Sequence, residues 1–379
     1  MSSAARLRIA VVAEGAVWGG IETQLALLLP AAAADPTLEI TGLLFSRGEL
    51  ADRLAATGRI AVEVAPESAR PARARWLASR IEAFRPDLLH AHGFEAEILA
   101  AAIGKIRGLR VLSTVHSDPG RSLQHAPDRG RAASAALWTA RRFGAAHLIA
   151  VSRDLRHRLV DLGIPSAQVT LVYNGVGVPG PDEKRAAAAL RASLGIDERQ
   201  VAIGMIGRLE PVKGHLRFLH VFSRLHETNP QVVALIAGDG PLRAGLDAET
   251  DALGIGASVE RLGFRSDAGA VMQALDIGVF ASSHEGIPFA ALEMMRRSVP
   301  LVCYGVGGLL EIVEDERTGL LAPPGDEDAL LERLESLVED DSRRHALGAA
   351  AASAIERSFS VEAMTATTVE LWRELAARG

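Results

Sequence analysis

The sequence predicts an α/β protein of two Rossmann-like domains facing a central cleft, and three observations predict it. Strand-like and helix-like segments alternate along the chain, the pattern of a parallel sheet wrapped on both faces by right-handed crossovers. The length of 379 residues is enough for two domains that each bury a core. Hydrophobic residues make up 48 % of the chain and aromatic residues only 4 %, so the cores must be aliphatic, as in helix-covered parallel sheets.

The first series of strands is expected at residues 8–13, 39–45, 61–64, 88–91, 110–115, 147–151 and 169–172. Helical segments at 21–33, 49–57, 72–84, 95–106, 131–143 and 153–162 lie between them. The Asn174-Gly175 turn and the stretch through Pro179, Gly180 and Pro181 make the clearest break. A second series follows, with strands at 201–206, 232–237, 259–262, 277–281 and 301–304. Its helices are expected at 214–228, 242–253, 268–274, 289–297 and 328–339, and a last helix at 361–377 has no strand after it. The predicted domains are residues 1–175 and 176–360, followed by the helix of residues 361–379.

Composition narrows the function. No apolar run reaches the roughly 18 residues a membrane-spanning helix needs, and the longest, from Leu25 to Ala34, is broken by Pro30. Glu14 cuts the amino-terminal apolar segment too short for a signal peptide, so it reads as a first buried strand. The single cysteine, Cys303, excludes an internal disulfide framework and suggests a reducing, cytoplasmic setting. Residues 1–175 carry 21 Lys+Arg against 16 Asp+Glu, and the remainder 20 against 31. A basic first half suits an anionic partner, although arginine is simply the default base of a chain with three lysines. No nucleic-acid partner is expected.

The segment from Asp276 to Gly308 is the most informative. It reads as buried strand, loop, helix, second strand and glycine turn, with Glu285 and Glu293 on either side of the loop-to-helix junction. Pro288 suits the first turn of that helix, because its missing N–H would be unpaired there anyway. The N–H groups of Phe289, Ala290 and Ala291 would then be free to meet an anion. Glu293 lies roughly 8 Å along the helix axis. An anion between two hydroxyl-binding carboxylates fits a sugar nucleotide.

Every other motif also falls at the carboxyl end of a predicted strand, where such sheets bind ligands. Arg208 and Lys213 follow one strand and could neutralise a departing diphosphate, or belong to a solvated loop. Gly238 and Gly240 could let the backbone approach a ligand, or form a plain βα turn. Backbone groups from Gly263 through Phe264 to Arg265 could meet a nucleobase edge, with Ser266 or Asp267 capping the next helix. Gly19-Gly20 could admit a phosphate or sugar, or serve a steric turn; the segment is neither G-x-G-x-x-G nor a Walker loop. His116, at a strand end, could bond a sugar hydroxyl or relay a proton. His90 and His92 share a strand face, a spacing seen in metal pairs, but no third ligand is near and acceptor-side lining or no role is favoured. Asp326-Glu327-Asp328 matches the D-x-D of metal-dependent sugar transferases, yet its setting is that of a helix cap. No metal site and no cofactor are expected.

Taken together, E-G-I-P-F-A-A-L-E, G-R-L-E-P-V-K-G, G-G-I-E, H-A-H-G, V-S-R-D-L, V-Y-N-G-V, A-G-D-G-P-L and G-V-G-G-L-L-E occur in an order that resembles the retaining glycosyltransferases of family 4, which have the GT-B fold. The resemblance covers nearly the whole length, and E-G-I-P-F-A-A-L-E, matching the family's E-x7-E, is its most specific part. It implies that Arg208 and Lys213 bind the diphosphate of a donor sugar nucleotide, a co-substrate, and that Glu285 contacts the sugar and Glu293 the ribose. It further implies that backbone N–H groups of Gly286, Ile287, Pro288 and Phe289 face sugar and phosphates (proline itself supplying none), and that His116 meets the sugar from the other domain. Metal independence and a last helix crossing back to the first domain belong to the same pattern. Arg296, Arg297 and Ser298 depart from the small residue and glycine that relatives often carry after this helix.

The expected reaction is sugar transfer to a hydroxyl acceptor with retained configuration, in glycan, polysaccharide or glycolipid synthesis. The rivals are a sugar-nucleotide epimerase or phosphorylase on the same fold, and a non-catalytic subunit binding a sugar nucleotide. Arginine mixed with tryptophan at residues 70–80 and 138–142 suggests a lipid-linked acceptor and peripheral contact at the inner membrane face, or an ordinary solvated helix face.

Overall fold

Leu7–Ala13 is apolar along nearly its whole length and forms the central strand β1 of a parallel sheet. In this computed structural model, which describes residues 6–66, 69–116 and 130–378, the chain divides into two compact units. The first is Met1–Gly175 with Val361–Gly379, and the second is Val176–Ser360.

The first unit holds seven parallel strands in the order β3-β2-β1-β4-β5-β6-β7. They are β1, β2 (Leu38–Leu44), β3 (Ala61–Val64), β4 (Leu88–His92), β5 (Arg110–Val115), β6 (His147–Ala150) and β7 (Val169–Leu171). The helices are α1 (Gly20–Ala32), α2 (Glu49–Ala56), α3 (Arg70–Phe84), α4 (Phe94–Arg107), α5 (Gly130–Thr139) and α6 (Arg153–Asp161), with a π-turn at Ala140–Gly144. Side chains of β1 alternate between two cores. Ile9 and Val11 pack with Leu25, Leu29 and Trp372, while Ala10 and Val12 pack with Leu89, Ala96 and Ala100.

The second unit holds six parallel strands in the order β10-β9-β8-β11-β12-β13. They are β8 (Val201–Ile206), β9 (Val232–Ala237), β10 (Val259–Gly263), β11 (Ile277–Phe280), β12 (Leu301–Tyr304) and β13 (Gly319–Ala322). Its helices are α7 (Glu183–Ser193), α8 (His215–Thr228), α9 (Arg243–Ala252), α10 (Ala268–Gln273), α11 (Phe289–Arg296), α12 (Leu309–Ile312), α13 (Glu327–Val338) and α14 (Asp341–Ser358). The last helix, α15 (Val361–Ala377), belongs to the first unit, where it packs on α1 and buries Trp372 completely.

Four elements differ from the sequence expectation. Helix α7 buries only Ala187, so it carries no apolar stripe to reveal it. Helix α14 is alanine-rich and equally weak in periodicity. Strand β13 and helix α12, four residues each, were not expected. Helix α1 runs through Pro30 to Ala32, in line with the expected helix of residues 21–33. Pro30 lies in the last turn, where a missing N–H costs a single backbone bond. Among the described residues no helix is long and apolar enough to cross a membrane.

Candidate active site

The loop after β11 gathers the chemistry of the second unit. Pro288 is extended and is the N-cap of α11 rather than its first helical residue. Its carbonyl accepts from Ala291 N–H at 3.1 Å and Leu292 N–H at 3.3 Å. The expectation of three free N–H groups is therefore corrected to two, because Ala291 closes a tight i→i−3 bond. The N–H groups of Phe289 and Ala290 have no acceptor among the described residues.

Glu285 is nearly buried, its side chain only 5 % exposed, and three donors hold it. Lys213 Nζ donates to both oxygens, at 2.8 and 2.7 Å, and the buried Ser282 hydroxyl donates to Oε1 at 2.7 Å. A buried carboxylate left without such charge-assisted bonds would be costly. Two close backbone approaches make the arrangement possible. Lys213 ends a 3₁₀ turn, Pro211–Lys213, and is followed by Gly214 at φ +76°. A Cβ on Gly214 would lie 2.1 Å from Ala281 O, so only glycine lets this turn dock on the end of β11. On the other side, a Cβ on Gly308 would lie 2.1 Å from Gly286 O, while Gly308 N–H donates to Glu285 O at 3.1 Å. The G-V-G-G turn is thus the floor beneath the Glu285 loop.

Sequence reasoning missed Ser282, Gly214 and the floor glycines as site residues. It also missed His215, the first residue of α8, which is 1 % exposed and whose ring nitrogens have no partner among the described residues. Burial, then the charge of Lys213, holds its imidazole down at about 4, so it is neutral at ordinary pH. Ser282 and His215 carry no chemical signal in the sequence, although each lies within three residues of a predicted site residue, Glu285 and Lys213 respectively.

The other predicted residues of this unit lie at the same sheet edge. Arg208 is half-exposed, and its guanidinium pairs with Glu210 at 2.6 Å rather than with Glu285. Gly238 has φ +145°, and a Cβ there would fall 1.8 Å from Gly207 O. The close approach it permits is to the neighbouring strand-end backbone. Gly263 (φ +64°) accepts from Gly238 N–H at 2.8 Å, and Phe264 beside it is exposed. Arg265 makes a two-bond pair with Asp267, at 2.7 and 2.6 Å. That pair draws the Asp267 carboxylate away from the helix start, so Asp267 is the N-cap of α10 without a side-chain capping bond. Glu293 is half-buried on α11, and its carbonyl accepts from Arg297 at 2.9 Å. Asp326 caps α13 by accepting from Ala329 N–H at 2.9 Å, and Asp328 pairs with Arg224 at 2.7 Å.

In the first unit, Gly19 is the extended N-cap of α1, and a Cβ there would meet only Glu22 Oε2 at 3.4 Å, so no steric turn demands glycine. Gly20 opens α1. His116 follows β5 and is half-buried, its Nε2 lying 3.2 Å from His92 Nδ1. His92 and His90 are fully buried; His90 Nε2 donates to Thr114 Oγ1 at 2.8 Å, while Nδ1 accepts from the Trp372 indole at 3.1 Å. Burial, with the charge of Arg141 second, holds His116 down at about 3. Arg141 itself is buried against Glu97 through bonds of 2.7 and 2.8 Å. Cys303 is buried inside β12, and burial pushes its thiol up, which suits packing.

Two units, each a parallel sheet with its charged and glycine-bearing loops at the carboxyl ends of the strands, define the GT-B fold class. The fold is shared with the Anabaena HepE protein crystallised with UDP-glucose, at a TM-score of 0.86, 21 % identity and coverage of 97 % of this chain and 100 % of that one. It is also shared with sucrose-phosphate synthase from Thermosynechococcus elongatus, at a TM-score of 0.80, 20 % identity and coverage of 99 % and 100 %. The chain belongs to the family 4 glycosyltransferases: the Glycosyltransferase Family 4 profile matches residues 18–178, and the glycosyl transferases group 1 profile matches residues 187–354. Among curated relatives, the 2-deoxystreptamine N-acetyl-D-glucosaminyltransferase of Streptomyces fradiae is 28 % identical over 295 residues, covering 73 % of this chain and 70 % of the relative. The D-inositol 3-phosphate glycosyltransferase of Corynebacterium urealyticum is 30 % identical over 244 residues, covering 61 % and 57 %.

Proposed function

We propose that the protein transfers a sugar from a nucleoside-diphosphate sugar to a hydroxyl acceptor with retained anomeric configuration. The observation that carries this reading is the Lys213–Glu285–Ser282 cluster beside the free N–H groups at the start of α11. An ammonium has three donors, and Glu285 occupies two here, leaving one for a phosphate oxygen. With the α11 N–H groups, it would stabilise the charge growing on the leaving diphosphate from fixed positions. Glu285, held in place by its donors, would accept from sugar hydroxyls, and Glu293 from the ribose.

In the reaction, the bond between the anomeric carbon and the diphosphate oxygen breaks. The acceptor oxygen bonds to that carbon on the same face, and its proton passes to the departing phosphate. Arg208 would come to the diphosphate only by leaving Glu210. In the first unit, Gly19, Gly20 and the neutral His116 stand as candidates for sugar contact. The donor class is supported by the HepE neighbour solved with UDP-glucose. The acceptor class, a polyol or glycan hydroxyl, is supported by relatives named for 2-deoxystreptamine and inositol phosphate.

The test is turnover with a panel of nucleoside-diphosphate sugars and polyol acceptors, with the anomeric configuration of the product read by NMR. Lys213→Ala and Glu285→Gln should each lower kcat by about 100-fold or more. Undiminished turnover in both variants would remove the site assignment, an inverted product would remove retention, and sugar conversion without acceptor would point to an epimerase.

A further inference from the structure

The second sheet has another face to account for. At the amino ends of β11 and β12, away from the loops that carry Glu285, lies a cavity of about 490 Å³, large enough for a small metabolite. Asp276 and Pro300, which precede those strands, form its floor, and Lys184, Arg296, Arg297 and Arg344 contribute four cations to its wall. We propose that this cavity binds a phosphate-bearing small molecule or headgroup.

The charges are arranged for an anion. Arg296 is 16 % exposed, but its carboxylate partner Glu356 is 66 % exposed and reaches it through one contact of 3.3 Å. Arg344 is 13 % exposed, against 70 % for its carboxylate partner Asp341, and its other terminal nitrogen donates to the carbonyls of Leu337 and Val338. Both guanidinium groups are therefore withdrawn from water while the neutralising carboxylates lie out in it, where screening weakens them. Arg297 is fixed more firmly, by Glu183 at 2.7 and 3.1 Å and by Glu293 O at 2.9 Å. Lys184 is exposed and has no partner among the described residues. The one lining carboxylate, Asp276, is already engaged by Arg191 at 2.8 Å and Ala202 N–H at 2.7 Å, so it does not oppose an incoming anion.

Arg296, Arg297 and Ser298, the segment that ends α11, all line the cavity. Ser298 sits at φ +62°, a left-handed position where glycine is the relaxed choice. Helix α11 thus has two charged ends: a tip proposed for the donor and, about 12 Å away at 1.5 Å per residue, an arginine-lined end that the sugar-transfer reading leaves unused.

The test is calorimetric titration of the full chain with inorganic phosphate and with pyrophosphate, alongside co-sedimentation with phosphatidylglycerol or phosphatidylcholine vesicles. Binding should survive Lys213→Ala and weaken about tenfold or more in Lys184→Glu and in Arg296→Gln. Lys184 is exposed, so its variant keeps the fold even if the arginine variant does not. Binding of the free ions alone identifies a soluble ligand; selective sedimentation with phosphatidylglycerol, lost in Lys184→Glu, identifies a lipid headgroup. Absence of binding to both, or binding abolished by Lys213→Ala and untouched by the cavity variants, overturns the proposal. These readouts need no turnover, so failure of the sugar-transfer reading leaves them intact.

Discussion

Acid should destabilise the first unit well before it protonates every carboxylate, and the histidines in β4 and just after β5 are the reason. Burial holds His90 and His116 down at about 3 and lowers His92 as well. The geometry agrees, since His90 Nδ1 must stay unprotonated to accept the Trp372 N–H. In the unfolded chain each imidazole returns to 6.5. Below that pH the unfolded state binds more protons than the folded one, so stability falls as pH falls and levels off only near the folded values.

Each histidine contributes a loss of about 1.4 kcal/mol per pH unit, so moving from about pH 7.5 to about pH 5.5 removes about 1.4 kcal/mol apiece. His90 and His116 together give about 3 kcal/mol, a large share of an ordinary domain's stability of about 5–15 kcal/mol. The size of the effect at that pH is set by the unfolded value, and it barely changes if a folded value is about one unit off. All four tryptophans, Trp18, Trp76, Trp138 and Trp372, lie in the first unit, so urea unfolding followed by tryptophan fluorescence reads that unit alone. His116→Gln should reduce the acid loss by the share of one histidine. A change below about 1 kcal/mol between the two pH values would refute the reasoning, because it would mean the imidazoles protonate inside the fold.

Further expectations concern the second unit. Ser282→Ala removes one of three donors from a buried carboxylate, worth about 1.5–3 kcal/mol; it should lower kcat, while Ser282→Thr restores it. Gly214→Ala forces a Cβ against Ala281 O at a left-handed position, and thermal unfolding followed by circular dichroism should show a destabilised second unit. Asp326→Ala should cost about 1 kcal/mol through loss of the α13 cap, without changing kcat; a loss of activity out of proportion to stability would return the acidic triplet to the site.

The alternation of aliphatic strands and amphipathic helices was enough to place most strands within a residue or so, because each buried strand must be apolar along its length and each covering helix must show one apolar stripe. The Glu285–Glu293 segment and the Lys213 turn were legible for a related reason: glycine, proline and charge concentrated at a strand end have few other uses. Helices without a stripe, α7 and α14, left too little periodicity to read, and the short elements β13 and α12 were also missed. Which groups touch was decided by the tertiary structure alone. Lys213 and Glu285 are 72 residues apart in sequence, and nothing in either segment states that Gly214 docks on Ala281 or that the Gly307-Gly308 turn supports the loop from below. His90 meets Trp372 across 282 residues, a pairing set by where α15 packs. Sequence fixes what each segment prefers to bury, but a contact between distant segments depends on the packing of the whole unit, where a missing Cβ or one hydroxyl sets the last few ångströms.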